Sequence, residues 1–201
     1  MIDTKKIGRP KMFDRDQVLA SALTIFWKKG YHGTSMADLT SAMGISGPSL
    51  YAEFGDKLGL YQSAIDSYVE NDACAPLFAF EQEPDIRRAV RAFMNAAIDY
   101  ATEQESGVRG CFLASCVVAN SGDVEGIEDR LKQAVEATDL RLSERFTSEI
   151  NKGVLPKDFP ALTRARLMFD LRQGHVFRAR SGCDPKTMKE DLDFRVDIVL
   201  S

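Results

Sequence analysis

Residues 34–57 read TSMADLTSAMGISGPSLYAEFGDK, and this stretch carries the most specific structural signal in the chain. In its first half, Leu39 and Met43 are four residues apart, which places them on the same face of a helix. Ser35 is the predicted N-cap of that helix, and Asp38, three residues later, completes a capping box. The first half therefore predicts a short helix with one apolar face.

The second half predicts a tight turn and another short helix. Gly44 can adopt the left-handed conformation that ends a helix, and Ser46 and Pro48 are typical of the start of the next one. Leu50 and Phe54 lie four residues apart, which gives this second helix one buried edge. Such a pair is typical of a helix-turn-helix, whose second helix enters the DNA major groove. Any helical hairpin with a glycine turn shares the pattern, so the flanking residues have to distinguish the two.

A capped support helix precedes the motif. Asp14 is its predicted N-cap, Gln17 closes a capping box, and Gly30 ends the helix. Between them runs an apolar stripe of helical period, Val18, Leu19, Ala22, Leu23, Phe26 and Trp27. This helix supplies the wall on which the two short helices lean.

Charge is distributed unevenly along the 201 residues. The chain has a net charge of −4, yet residues 1–60 carry eight basic and six acidic side chains, and the remainder carries 18 and 24. A mildly basic N-terminal part joined to an acidic body suits a protein that touches phosphates at one end. Residues 1–12 are a predicted flexible basic arm, in which Arg9 is the expected minor-groove contact. A solvated tail without a DNA contact is the alternative for this arm.

Every later segment also reads as helix, so the predicted fold class is all-α with about nine helices. Pro76 and Pro84 predict a break between two of them. Residues 111–119 are uniformly apolar without period-two alternation, which predicts a buried helix.

Several classes of protein are not expected. No run of about 18 apolar residues exists and no apolar segment follows the N-terminal lysines, so neither a transmembrane helix nor a secretory signal is predicted. The four cysteines, at positions 74, 111, 116 and 183, include no CxxC pair, which favours a reducing, cytoplasmic setting. No phosphate loop, metal-ligand spacing or nucleophile beside a base is visible, and we expect no cofactor, no metal and no enzymatic activity.

Over residues 8–61 the chain resembles the TetR family of one-component transcriptional regulators. The matching positions are Gly8-Arg9-Pro10, Phe13-Asp14, Gly30-Tyr31, Thr34-Ser35, Asp38-Leu39, Gly44-Ile45-Ser46, Leu50-Tyr51, Phe54, Lys57 and Leu60. So many matches at fixed spacing make a specific signal. The resemblance implies a helix-turn-helix DNA-binding domain over residues 13–57 and a helical effector-binding and dimerisation domain over residues 58–201.

The resemblance also implies which residues contact double-stranded DNA. Thr34 and Ser35 lie at a helix N-terminus, where hydroxyl and backbone N–H groups hold a phosphate. Tyr51 and Lys57 match further phosphate contacts of the family. Base reading is expected at the start of the second helix of the motif, at Ser46, Gly47, Pro48 and Ser49.

Three positions depart from the common form of the family. Gly47 stands where a lysine or arginine is frequent, Ala52 where a large polar residue is frequent, and Thr40 where alanine is usual. Because the second helix has few long side chains, we expect serine hydroxyls, thymine-methyl contacts and DNA shape to supply its selectivity. Glu53 is either a partner of a cytosine amino group or an exposed, solvated acid.

In the resembling family two long C-terminal helices pair to form a homodimer, and they correspond here to residues 160–181 and 185–200. Such a dimer would address half-sites ~34–36 Å apart on a pseudo-palindromic operator. The effector pocket is expected among Phe93, Ala97, Tyr100, Phe112, Cys116, Asn120 and Phe169. Their apolar and aromatic character favours a small apolar or amphipathic effector.

The predicted function is a DNA-binding regulator, in first place a repressor that a small-molecule effector releases from its operator. The alternatives are a constitutive DNA-binding factor without an effector, a cysteine-based redox or metal sensor, and a helical enzyme. Cys111 and Cys116 lie roughly 140° apart around a helix, so they share no face, which favours inert buried thiols.

Overall fold

The computed structural model describes residues 13–72, 75–103 and 107–201. The predicted basic arm, with Arg9, lies outside the described residues. Within these ranges the chain folds into ten α-helices joined by turns, which confirms the predicted all-α class. The helices are α1 (Arg15–Lys29), α2 (Met36–Met43), α3 (Gly47–Phe54), α4 (Lys57–Ser67), α5 (Ala75–Gln82), α6 (Ile86–Thr102), α7 (Ile127–Asn151), α8 (Ala161–Arg180), α9 (Pro185–Lys189) and α10 (Leu192–Leu200).

The first three helices form the predicted helix-turn-helix unit. α1 begins after Asp14, whose carboxylate accepts hydrogen bonds from the backbone N–H groups of Asp16 and Gln17. The whole apolar stripe of α1 is buried, and α2 packs against it. α2 ends at Gly44 with a φ of 65°, the left-handed conformation that turns the chain towards α3.

α4 joins this unit to the rest of the protein. Asp56 caps it by accepting a hydrogen bond from the Gly59 N–H at 2.8 Å, and the helix continues past Ser67 as a π-helical turn, Tyr68–Asp72. Tyr61 of α4 is fully buried, and its ring packs edge-on against Phe26 of α1 with the centroids 4.8 Å apart. Aromatic packing therefore sets the position of α4 against α1.

The second part of the fold is built around α6, which contacts α5, α8, α9 and α10. One face of α6 is wholly buried, and it includes Ala89, Val90, Phe93, Met94 and Ile98. α7 packs against α8 and completes the helical body. α4 and the turns before α7 connect this body to the helix-turn-helix unit.

A helix occupies the stretch where the prolines predicted only a break. α5 begins at Ala75 and places Pro76 in its first turn, where a missing backbone N–H breaks no helical hydrogen bond. Leu77 and Phe80 are buried beneath it against α6. The predicted break was wrong, because a proline in the first turn of a helix gives the same local signal as a proline that ends a helix.

Residues 111–120 are less regular than the predicted buried helix. They form a π-helical turn, Leu113–Val117, followed by a 3₁₀ turn, Val118–Asn120. The amide of Asn120 donates to the carbonyl oxygen of Cys116, and this side-chain bond replaces part of the regular backbone pattern. Cys116 and Val117 are buried, whereas Val118 is 48% exposed.

The predicted final helix over residues 185–200 is divided into α9 and α10. The chain turns at Glu190 and Asp191, and the carbonyl oxygen of Met188 accepts a hydrogen bond from the Arg195 guanidinium at 3.3 Å. That bond satisfies a carbonyl group near the interrupted helix end. None of the described helices has the length and apolar character needed to cross a membrane.

Candidate nucleic-acid interface and ligand cavity

The start of α3 is accessible, as a recognition helix requires. Ser46 caps α3, accepting from the Ser49 N–H at 3.3 Å, and the two hydroxyl oxygens lie 2.8 Å apart. Leu50 and Phe54 hold the opposite edge in the core, while Tyr51 is 54% exposed. The predicted base-reading positions therefore lie at the exposed end of a helix fixed from behind.

α3 presents few long side chains around this exposed end. At Gly47 an added Cβ would meet no atom within 4 Å, and Pro48 and Ala52 are exposed. Glu53 forms an ion pair with Arg15 of α1, with Nε and Oε1 3.2 Å apart. The Glu53 side chain is 38% exposed, which agrees with the exposed acid, one of the two predicted alternatives, and adds an ion-pair partner on α1. No local pattern indicates this pair, because the two residues are far apart along the chain.

The N-terminus of α2 differs from the prediction at Thr34. Thr34 is only 2% exposed, and its hydroxyl donates to the carbonyl oxygen of Gly30 at 2.6 Å, so that hydroxyl serves the interior rather than the surface. Ser35 is exposed and forms the predicted capping box with Asp38. The ion pair of Asp38 with Lys29, at 2.6 Å, and its bonds to Ser35 lower the pKa of the Asp38 carboxyl.

Lys57 and Tyr51 lie on either side of the turn between α3 and α4. The Lys57 ammonium group lies over the ring of Tyr31, 4.4 Å from its centroid, and partial burial lowers the pKa of Lys57. Burial, with the nearby Asp56 carboxylate, raises the pKa of Tyr31. The cation is therefore held in position by an aromatic ring while Tyr51 stays exposed.

A cavity of about 480 Å³ lies between α6, α7, α8 and the 111–120 segment. Its walls are mostly apolar and aromatic, and they include Phe93, Leu113, Val118, Leu131, Val135, Phe169 and Phe177. Of the predicted pocket residues, Phe93 and Phe169 lie on this wall. The volume and the lining are those of a small-molecule site.

The other five predicted pocket residues lie outside that wall. Ala97 and Phe112 are buried in the core, as are Cys116 and Asn120. Tyr100 is half-buried, with its ring centroid 6.4 Å from that of Tyr68. The α7 wall was not predicted, because the spacing of its small residues, such as Ala134 and Thr138, does not distinguish a cavity wall from an ordinary core-facing stripe.

Three arginines also line the cavity, and the sequence did not suggest any of them. Arg141 pairs with Glu81 through both carboxylate oxygens and lies over the ring of Phe78. Arg172 is 7% exposed, and Arg180 is exposed at the end of α8. A cationic residue in an amphipathic helix normally predicts a solvent-facing position, which hid Arg172 from sequence reasoning.

The 111–120 segment connects the cavity wall to the helix-turn-helix unit. The Cys116 thiol donates to the carbonyl oxygen of Phe26, near the end of α1, at 3.2 Å. It also lies 3.7 Å from the phenol oxygen of Tyr61 on α4, and burial raises the pKa of this thiol. In the described part of the chain, no three His, Cys, Asp or Glu side chains are grouped to hold a metal ion.

Comparisons with known proteins agree with this arrangement. A family model described as bacterial regulatory proteins, tetR family, matches residues 18–64. The HTH-type transcriptional repressor ComR of Escherichia coli K12 is 32% identical over 181 residues, 89% of this chain and 85% of ComR. The repressor BdcR of the same strain is 29% identical over 170 residues, 84% of each chain.

A solved structure extends the similarity to the whole fold. It is a cysteine mutant of the TetR family transcriptional regulator CifR, in complex with a 26-base-pair double-stranded operator DNA. Its TM-score is 0.84 at 27% identity, and the match covers 94% of this chain and 98% of CifR.

Proposed function

This chain belongs to the tetR family of bacterial transcriptional regulators, and on that premise we propose that it is a repressor released from its operator by a small molecule. Like these relatives, it is a DNA-binding regulator and not an enzyme. Repression is supported by ComR and BdcR, which are both named repressors. The observation that carries the release step is the 111–120 segment, which lines the cavity and also touches α1 and α4.

We assign most of the affinity for DNA to phosphate contacts, and the sequence specificity to the start of α3. Tyr51, Lys57 and the N-terminus of α2 at Ser35 would hold the backbone. The four residues at the start of α3 would face the bases; they are Ser46, Gly47, Pro48 and Ser49. Arg9, outside the described residues, would add a minor-groove contact.

A homodimer would form across α8 and the α9–α10 pair. Large apolar side chains stand exposed on these helices: Leu162 at 44%, Phe177 at 74% and Phe194 at 67%. Large apolar side chains left exposed along these helices support an interface with a second copy of the chain. The two recognition helices of the dimer would then meet a pseudo-palindrome with half-sites ~34–36 Å apart.

Release would follow from a population shift between two orientations of the helix-turn-helix unit. Contacts to α1, and to α4 that follows it, connect the cavity wall to that unit. Cys116 bonds to α1, and Arg130 of α7, next to the cavity residue Leu131, pairs with Asp66 of α4. A ligand that moves the 111–120 segment or α7 would therefore reposition α1 and α4 together.

The test is to select bound DNA from a random pool and then add candidate effectors to the complex. Release of the selected DNA, together with ligand-induced thermal stabilisation, supports the proposal. Binding to DNA that no ligand of a diverse set reverses, without thermal stabilisation, favours a constitutive factor.

A further inference from the structure

Arg172 is a buried cation of α8. Its side chain projects from α8 into the cavity wall and is 7% exposed. None of the described Asp or Glu residues forms an ion pair with it. Its polar contact is a long one, from Nη2 to the Cys111 sulfur at 3.9 Å, and its guanidinium carbon lies 5.7 Å from the ring centroid of Phe169.

These contacts compensate poorly for the burial of a full charge. Removing a cation from water is costly unless an anion or several good acceptors replace the water. A sulfur is a weak acceptor, and an aromatic ring replaces only part of the stabilisation that a carboxylate would give. Apolar packing of the Arg172 methylene groups does not explain the burial, because an arginine can bury these groups while its guanidinium stays in water.

The surrounding charges point in the same direction. The described lining residues include three arginines and no acidic residue, and only Arg141 of the three has a carboxylate partner. The rest of the domain is acidic, since the chain beyond residue 60 carries 24 acidic and 18 basic side chains. A positive cavity inside an acidic domain attracts a small anion and orients it.

A second polar group in the wall is also unsatisfied. The Oε1 atom of Gln173, next to Arg172, is buried and accepts no hydrogen bond from the residues that the structure describes. Buried polar atoms of this kind are rare unless a ligand or water completes them. Because this oxygen accepts, its partner would be a water or a donor group elsewhere on a ligand, and not a carboxylate.

We propose that the cavity binds an amphipathic organic acid whose carboxylate pairs with Arg172. The planar guanidinium fork matches a carboxylate with two parallel hydrogen bonds. The apolar part of the acid lies among Phe93, Leu131 and Phe169, in a space of about 480 Å³. This inference rests on the effector cavity of the proposed function and names the class of its ligand.

The position of Arg172 also connects the acid to the response. Cys111, which Arg172 contacts, accepts a hydrogen bond from the Tyr68 hydroxyl at 3.3 Å and begins the 111–120 segment. A carboxylate that draws the guanidinium towards the cavity removes it from Cys111. Loss of this contact would alter the 111–120 segment, which is hydrogen-bonded to α1 through Cys116.

The test uses matched pairs of ligands on the full chain at neutral pH. Octanoate, decanoate, dodecanoate and naphthylacetate are compared with their primary amides, which have the same size without the charge. Affinity is measured by calorimetry and by the shift of the thermal unfolding midpoint. For the best-fitting pair the acid is expected to bind at least about tenfold more tightly than the amide, because a charged bidentate pair forms only with the acid.

The Arg172→Met variant is expected to lose this preference for the acid, and Arg172→Lys to retain part of it. Arg178→Met removes an exposed cation of the same helix that lies outside the cavity, and it should keep the full preference. Helix content by circular dichroism verifies that each variant folds.

Amides that bind as well as acids, or an acid preference that survives in Arg172→Met, would overturn the inference. Stabilisation by neither series would overturn it as well. Acids that bind through Arg172 but leave operator DNA bound would uphold the inference and contradict release in the proposed function.

Discussion

Gly59 at the start of α4 lies against the carbonyl oxygen of Phe54 so closely that an added Cβ would be 2.1 Å from that oxygen. Phe54 is the last residue of the recognition helix, so this close approach fixes the angle between α3 and α4. Only glycine allows this approach, because the carbonyl oxygen belongs to the backbone and cannot rotate away from a Cβ.

Replacing Gly59 with alanine should therefore destabilise the helix-turn-helix unit by about 1–3 kcal/mol, as overpacking does. Urea unfolding followed by circular dichroism measures the change. Gly47→Ala is the matched control, because a Cβ there meets nothing within 4 Å. Equal stability of the two variants would contradict this account of the α3–α4 junction.

Gly47→Lys should tighten binding to DNA of any sequence, since it adds a cation at the exposed start of α3. The slope of log affinity against log salt should steepen by about 0.9, because one added cation close to the DNA releases one more counterion. Fluorescence anisotropy across a salt series measures it, with Gly47→Gln as the uncharged control. An unchanged slope in Gly47→Lys would place this position away from the DNA.

Lys57→Met should weaken binding to all DNA sequences and reduce the salt slope by about 0.9, because one phosphate contact is lost. Tyr51→Phe should weaken binding without changing the slope, since a neutral hydroxyl releases no counterion. The control is Lys157→Met, which removes an exposed charge from the loop between α7 and α8. If Lys157→Met and Lys57→Met behaved alike, the assigned role of Lys57 would be wrong.

His175 should make stability depend on pH. Burial, with the Arg195 and Arg178 charges, lowers the pKa of His175 from 6.5 to about 4. Between these values the unfolded chain binds a proton that the folded one does not, so stability falls as pH decreases below 6.5. The slope reaches about 1.4 kcal/mol per pH unit.

Urea unfolding at a series of pH values from 7 to 5 tests this dependence. His175→Gln should show a flatter profile, whereas His32→Gln, at the other and exposed histidine, should keep the slope of the unaltered protein. A profile in His175→Gln as steep as the original would assign the effect to other groups.

Phe194→Glu should convert the dimer to monomer at micromolar concentration, because it places a charge where α10 is expected to meet its partner. Leu140→Glu alters a comparably exposed apolar residue on α7, 58% exposed against 67%, and should leave the dimer intact. Analytical ultracentrifugation distinguishes the two. A Phe194→Glu protein that still sediments as a dimer would place the interface elsewhere.

Local sequence signals predicted most of the fold and little of the cavity. The predicted caps at Asp14 and Ser35 are both present, because a cap is a contact within one turn of the chain. The cavity forms where the apolar faces of neighbouring helices are not in contact, and tertiary packing determines where that happens. Periodicity therefore identified Phe93 and Phe169 as inward-facing but did not distinguish Ala97, in the core, from Ala134, at the cavity.

The dual role of the 111–120 segment bears on any attempt to retune this protein as a sensor for a new compound. Leu113 and Val118 shape the cavity, yet they lie in the same short irregular segment as Cys116, which contacts α1. Substitutions there would alter what is detected and how strongly the signal is passed on, and the two effects would be hard to separate. Ala137 and Thr138 line the same cavity about two helical turns beyond Arg130, so substitutions there are expected to change ligand choice with less effect on the contacts to α1 and α4.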